Sequence, residues 1–275
     1  MVIRMLTSIA VGCFSVGVAS PAFGQVSDER VWQQFLQWLP SAPPTDVPAP
    51  IYAQYRARLV AAGTLEGDAD KELAVIRNMM RTRLEARRLM LNNIYSSPAP
   101  GFRTKPNALV VSTVEGRKPG RALDVGTGQG RNAVFLAIEG WEVTGFDISD
   151  VGLAIATSSA ERAGVRINAV LQSREQFDFG VAKWDLIVIS YETIPLQTPG
   201  YVRRLRDSLR SGGLIVIETF ASNEGAFSRR SVDVDPGQLL RAFDGFRILH
   251  FQDTVAMPDW AKEKARLARL VAEKP

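Results

Sequence analysis

The sequence predicts an α/β chain whose mostly parallel sheet carries helices on both faces, preceded by a helical appendage. Three observations predict it. Arg121 to Gly140 reads as strand, glycine-rich turn and helix. Leu123 and Val125 belong to a short apolar run, glycines fall at 126, 128 and 130, and Val134, Leu136 and Ala137 recur with helical spacing before a stop at Gly140. Trp184 to Tyr191 is a near-continuous apolar run, the pattern of a parallel strand covered on both faces. Before residue 101 the apolar residues recur instead at three- and four-residue intervals, with prolines between the segments.

With 275 residues, 46% of them hydrophobic, the chain can bury the core of one domain plus an appendage. Its net charge of +4 is mild and lacks the concentrated basic field of a nucleic-acid binder, so no nucleic-acid partner is expected. One cysteine excludes a disulfide framework and a thiolate metal site, and one histidine, His250, excludes a histidine metal cluster. Nothing in the sequence sets an oligomeric state.

Residues 1–24 read as a secretory signal peptide. Arg4 supplies the basic start, Met5 to Ala19 the apolar stretch, and Ala22-Phe23-Gly24 the small residues before Gln25. The run is short and rich in Gly and Ser, so no stable membrane span is expected after cleavage. Cys13 invites a lipoprotein reading, but Ala10-Val11-Gly12 is a poor lipobox. Cleavage predicts a periplasmic or secreted chain. The alternatives are an uncleaved anchor and a mis-assigned start codon, the latter leaving the chain in the cytoplasm.

Residues 25–101 are the expected appendage. Ser27-Asp28-Glu29 starts a short helix carrying Val31, Trp32, Phe35, Leu36 and Leu39, and prolines from 40 to 50 form a stiff linker. A helix from Ile51 to Ala62 ends at Gly63. A single longer helix is expected from about Asp68 to Tyr95, with Leu73, Ile76, Met80, Leu84, Leu91 and Ile94 on its buried face. Arg77, Arg81, Arg83, Arg87 and Arg88 read as a solvated face with acidic partners. These helices are expected to pack on the domain that follows, at its mouth. Ser96 to Gly101 marks the boundary.

The spacing of the glycines narrows the reading of residues 102–275. A dinucleotide fold wants Gly-x-Gly-x-x-Gly, but here the third glycine comes one residue early and Arg131 follows it; no Gly-Lys-Ser/Thr makes a P-loop. Asp124-Val-Gly126-Thr127-Gly128-Gln-Gly130 instead resembles the motif of class I S-adenosylmethionine (SAM) methyltransferases. The fuller string, Ala122 through Asn132, is similar to the TehB-like (tellurite-resistance) and related small-molecule methyltransferases, whose loop also ends Gly-Arg-Asn. Those relatives often have Cys in place of Thr127. The resemblance covers about 105–275. It implies a Rossmann-like seven-stranded sheet, SAM as cofactor and a small-molecule methyl acceptor, such as a thiol or a chalcogen oxyanion.

What the resemblance implies for the site follows residue by residue. Asp124 with Gly126, Thr127, Gly128, Gly130, Arg131 and Asn132 should hold the methionine end. Asp147 closes the second strand, about twenty residues after the first glycine, where a carboxylate accepts hydrogen bonds from ribose hydroxyls, with Ile148 beside it. Its competing reading is a helix N-cap, for which Ser149 is better placed. Gln172 and Ser173 follow the third strand, where relatives usually carry an acidic residue for the adenine amino group. Asn107 starts a segment that lies over the cofactor in relatives. Ser190, Tyr191 and Glu192 emerge at the C-terminal end of the fourth strand and Glu218 near that of the fifth. Ser190 is a cofactor-side candidate; Tyr191, Glu192 and Glu218 are catalytic candidates by position alone. Ser190-Tyr191-Glu192-Thr193 is not the Asn/Asp-Pro-Pro-Tyr/Phe of base-amine methyltransferases.

Residues 221–234 read as a mobile loop. The tail from 261 to 273 conflicts with itself, since its propensity favours helix while the resemblance makes Arg266 to Glu273 an antiparallel last strand. Two other functions stay open: a SAM-binding or sensor module without turnover, and a nicotinamide-dependent oxidoreductase. Export would also separate the enzyme from cytoplasmic SAM.

Overall fold

The computed structural model describes residues 27–46, 49–80, 82–98, 104–198, 200–222, 233–259 and 263–275. The expected signal peptide, 1–24, and most of the expected loop at 221–234 lie outside them. Among the described residues no helix is long and apolar enough to cross a membrane.

Four helices come first: α1 (Asp28–Trp38), α2 (Ala49–Ala61), α3 (Glu66–Met80) and α4 (Leu84–Tyr95). Ser27 caps α1 by accepting from the Arg30 amide. The stripes predicted for these helices meet in one cluster, with Trp32 and Phe35 of α1, Ile51 and Tyr55 of α2, Ile76 of α3 and Ile94 of α4 all buried in it. Phe35 meets the Tyr55 ring edge-on at 5.1 Å. Buried Asn93 ties the proline-rich linker down, donating to the Ala42 carbonyl at 2.9 Å and accepting from the Thr45 amide at 3.1 Å.

The expected single helix over 68–95 is two helices. Arg83 is extended, with φ −106° and ψ 111°, and its guanidinium pairs with Glu29 at 2.7 Å. The reason is packing. In an unbroken helix Ile76 and Ile94 would stand about 27 Å apart, yet both are buried in the same small core, so the chain must double back.

Helix α5 (Ala108–Val114) leads into β1 (Arg121–Val125), α6 (Arg131–Ile138), β2 (Glu142–Asp147), α7 (Asp150–Arg162), β3 (Asn168–Leu171) and β4 (Trp184–Ser190). Then follow α8 (Tyr201–Ser208), β5 (Leu209–Phe220), α9 (Pro236–Ala242), β6 (Arg247–Ala256) and β7 (Ala265–Glu273).

The seven strands lie in the order β3-β2-β1-β4-β5-β7-β6. The first five run parallel, and β7 is antiparallel to both its neighbours. Alternation along the strands feeds two cores. Leu123, Ile187 and Ile215 face the layer holding Leu205 and Leu239, while Ala122, Leu186 and Val216 face the layer holding Val110 and Leu136.

The tail is a strand, as the resemblance implied and propensity did not. Leu267, Ala268 and Leu270 are fully buried and β7 bonds to strands on both sides. Two ladders and a buried face outweigh intrinsic helix preferences of a few tenths of a kcal/mol per residue.

Strand order reverses at β1, which has β2 on one side and β4 on the other. The crevice beyond the C-terminal ends of such strands is where open α/β sheets bind ligands. The C-terminal part of α4 docks there, on the start of α7. Asn92 and Arg88 donate to Asp150 at 2.8 and 3.1 Å, and the Ser149 hydroxyl donates to Asn92 at 2.7 Å.

Candidate functional site

At the end of β1 the chain turns through Gly126, Gly128 and Gly130 at φ +68°, +52° and +82°. The amides of Gly126 and Thr127 both donate to the Phe146 carbonyl at 3.0 Å, tying the turn to β2. Asp124 is buried and accepts from the Thr127 hydroxyl at 2.7 Å. Burial pushes its pKa up to about 6, against the opposing pull of the Thr127 bond and the Arg131 charge.

Asp147 is also buried. It accepts from the Gly128 amide at 2.9 Å and the Ser149 amide at 2.8 Å. Burial raises it to about 6; the Ser149 amide works against this and the Glu192 charge adds to it. Ser149 is the N-cap of α7, as expected, accepting from the Gly152 amide at 2.9 Å.

Gly130 is tight for a packing reason. A Cβ there would stand 2.6 Å from the Cβ of Ala156 on α7. Asn132 is buried and accepts from the Asn107 amide at 2.9 Å. Asn107 caps α5 and donates to Asp259 at 2.6 Å. Arg131 donates to the Ser190 hydroxyl and to Asp259, each at 2.9 Å. Gly130 and Arg131 also line a separate groove of about 270 Å³ with Pro106, Val134 and Phe135.

Gly126, Asp147, Ile148, Gln172, Ser173 and Glu192 come together around one cavity, which Leu84 and Arg87 of α4 and Arg174 also line. Its volume is only about 20 Å³, room for about one water. Two side chains cover the bend. The Tyr95 hydroxyl lies 2.2 Å from where a Cβ on Gly128 would be, and Glu192 Cγ lies 2.9 Å from where one on Gly126 would be.

The three catalytic candidates part company. Tyr191 has φ +59°, a conformation costly for a non-glycine residue and concentrated at functional sites. Its hydroxyl donates to Glu218, which is 3% exposed and held by Arg269 at 2.7 Å. Burial, then the Glu218 charge, raises the Tyr191 pKa. Glu192 turns the other way, to Arg174 at 2.7 Å and Arg87 at 3.7 Å. Tyr95, read as a helix end, and Arg87, read as part of a solvated face, join Asp259 and Arg269 as site residues that the sequence did not point to. All four are remote from the glycine motif and carry no local signal.

Residues 122–213 match the family model described as a methyltransferase domain, a third of the chain. Over 121 residues the chain is 25% identical to the Haemophilus influenzae protein TehB, named as a SAM-dependent methyltransferase, covering 42% of this chain and 41% of that one. The crystal structure of TehB superposes with TM-score 0.55 at 18% identity, covering 69% of this chain and 67% of that one, a likeness of fold. The α/β unit therefore carries a methyltransferase domain, similar in sequence and fold to the class I SAM-dependent TehB.

The ubiquinone biosynthesis O-methyltransferase of Ruegeria pomeroyi is 30% identical over 115 residues, 39% of this chain and 44% of its own. The release factor glutamine methyltransferase of Bordetella pertussis is 33% identical over 103 residues, 37% and 35% respectively. The chain thus spans about two fifths of the length of the curated relatives it matches, and their names agree on the reaction but not on the acceptor.

The donor set of the methyltransferase domain fits SAM. Of the two buried carboxylates, Asp124 suits a cationic group and Asp147 suits hydroxyls, while Phe146 and Ile148 offer apolar walls and Gln172 and Ser173 polar groups in the cavity that Asp147 lines. The space fits only once Tyr95 and Glu192 leave the bend.

Proposed function

We propose that the chain transfers a methyl group from SAM to a small-molecule acceptor. The observation that carries this reading is the Asp124–Gly130 bend at the reversal of strand order, with a second buried carboxylate, Asp147, ending the neighbouring strand. SAM supplies an already activated methyl group on a sulfonium. The protein's share is therefore to bind, align and exclude water, which can lower the barrier by several kcal/mol.

In this reading each Asp147 oxygen, already accepting one amide, keeps lone pairs for the ribose hydroxyls. Ile148, Gln172 and Ser173 receive the adenine. Asp124, fixed by Thr127, places negative charge under the cationic end, and the amides of Gly126, Gly128 and Gly130 form the floor. Arg131, Asn132 and Ser190 hold the segment around Asn107 and Asp259 against the loop. A thiolate or reduced chalcogen needs no base. A protic acceptor would have Tyr191 and Glu218 as the bonded pair to take its proton, with Arg269 holding Glu218.

Calorimetry with SAM and NAD, followed by methyl release to thiols, selenite, tellurite and phenols, tests the proposal. We expect SAM binding in the micromolar range, weakened about tenfold or more, some 1.4 kcal/mol, by Asp147→Ala. NAD binding without SAM binding would sink it. The covered bend favours one second reading, a SAM-binding module without turnover, which tight SAM binding with no product from any acceptor would select.

A further inference from the structure

We infer that the N-terminal helices are a removable plug of the cofactor pocket, with Tyr95 as the part that fills it. The inference rests on the SAM reading above. Tyr95 is the last residue of α4, and its ring fits between two glycines on different elements. Its hydroxyl lies 2.2 Å from the Cβ position of Gly128 in the loop, and its Cε2 and Cδ2 lie 3.0 and 3.1 Å from that of Gly152 in α7. A side chain at either place would expel the ring. Gly152 thus leaves room both for this ring of the appendage and for the Gly128 backbone, 3.2 Å from the same Cβ position.

The rest of α4 continues the closure. Leu84 and Arg87 line the cavity beside Asp147, Ile148, Gln172 and Ser173. Arg87 reaches Glu192 at 3.7 Å, and Glu192 covers Gly126. The Tyr95 phenol feels the charges of Asp147, Glu192, Arg131 and Asp124, so the ring sits among the groups assigned to the cofactor.

The attachment is made to come apart. Ala86, Met90 and Ile94 anchor α4 in the helical bundle's own core. Its other face meets the methyltransferase domain through Arg88 and Asn92 on Asp150 and through the Asn92–Ser149 bond. Both members of the Arg88–Asp150 pair are about half exposed, and such pairs contribute little. Relative motion of folded units is the default unless their interface is large and apolar. The bundle can therefore withdraw as a body and take Tyr95 with it. The observed cofactor affinity is then the intrinsic affinity multiplied by the fraction of molecules that are open, and the entry rate levels off at the opening rate.

Stopped-flow association of S-adenosylhomocysteine with the full chain tests this, beside hydrogen exchange at residues 126–130. Two variants act from opposite sides. Tyr95→Ala removes the filling ring, and Arg88→Glu sets like charges against Asp150 outside the pocket. We expect each to speed association by about tenfold, and Arg88→Glu to raise exchange at 126–130 without ligand. Unchanged rates and exchange in both folded variants would overturn the plug. So would weaker binding in Tyr95→Ala alone, which would make Tyr95 an ordinary cofactor contact. Faster exchange with no S-adenosylhomocysteine binding in any variant would uphold the moving bundle and sink the SAM reading instead.

Discussion

Asp124 and Asp147 carry a cost that only their surroundings explain. Each has its pKa raised from 3.8 to about 6, chiefly by burial. Between pH 3.8 and 6 the folded chain therefore holds more protons than the unfolded one. Stability contributed by these groups is full below pH 3.8, is lost as pH rises through 6 and is flat above. One such group is worth on the order of 3 kcal/mol. Asp147→Asn should flatten part of this slope in urea unfolding measured from pH 4 to 7. The same titration sets function, because the carboxylates are charged for a cationic ligand only above about pH 6. SAM affinity should rise between pH 5 and 7, and a flat profile would show that Asp124 does not face the cation. The two aspartates were legible because Asp124 stands next to the last residue of the strand that enters the glycine motif and Asp147 ends the following strand. Tyr95 was not, because nothing in its neighbours along the chain distinguishes a ring that fills a pocket from one on a solvated helix end.

Among the elements, the glycine loop shows how one motif answers to several neighbours. Gly130→Ala meets both a positive φ and Ala156 at 2.6 Å. Gly164→Ala meets a positive φ of +70° with open space around it. In urea unfolding Gly164→Ala should cost about 1 kcal/mol and Gly130→Ala about 2–4 kcal/mol. Equal costs would mean that the loop does not press on α7. Periodicity located α6 and β4 because each buries a single pattern of its own. It failed at α3 and α4, whose stripe is continuous in sequence although the helices fold back on each other. Propensity failed at β7, where the slot between β5 and β6 decides.

At the scale of the molecule there are two hydrophobic bodies, the bundle core around Phe35 and the two layers on the sheet. Phe35 is fully buried, and Phe35→Ala should destabilise the bundle by about 3–5 kcal/mol. Because the loss falls on the bundle's own core, the bundle should then unfold first. Fluorescence of Trp32 and Trp38 would change at lower urea than the far-UV signal of the sheet. A single coincident transition would show that docking couples the two bodies fully.

The sequence by itself determined the α/β architecture, the bend at 126–130 and the carboxylates that flank it. These depend on residues close in the chain, where a strand pattern, a positive φ and a helix start must follow one another. Tertiary structure alone decided that the bend is covered, that Glu192 leaves Tyr191 and Glu218 for two arginines, and that α4 supplies Tyr95. Those contacts join segments that share no local pattern, so only the folded chain brings them within reach.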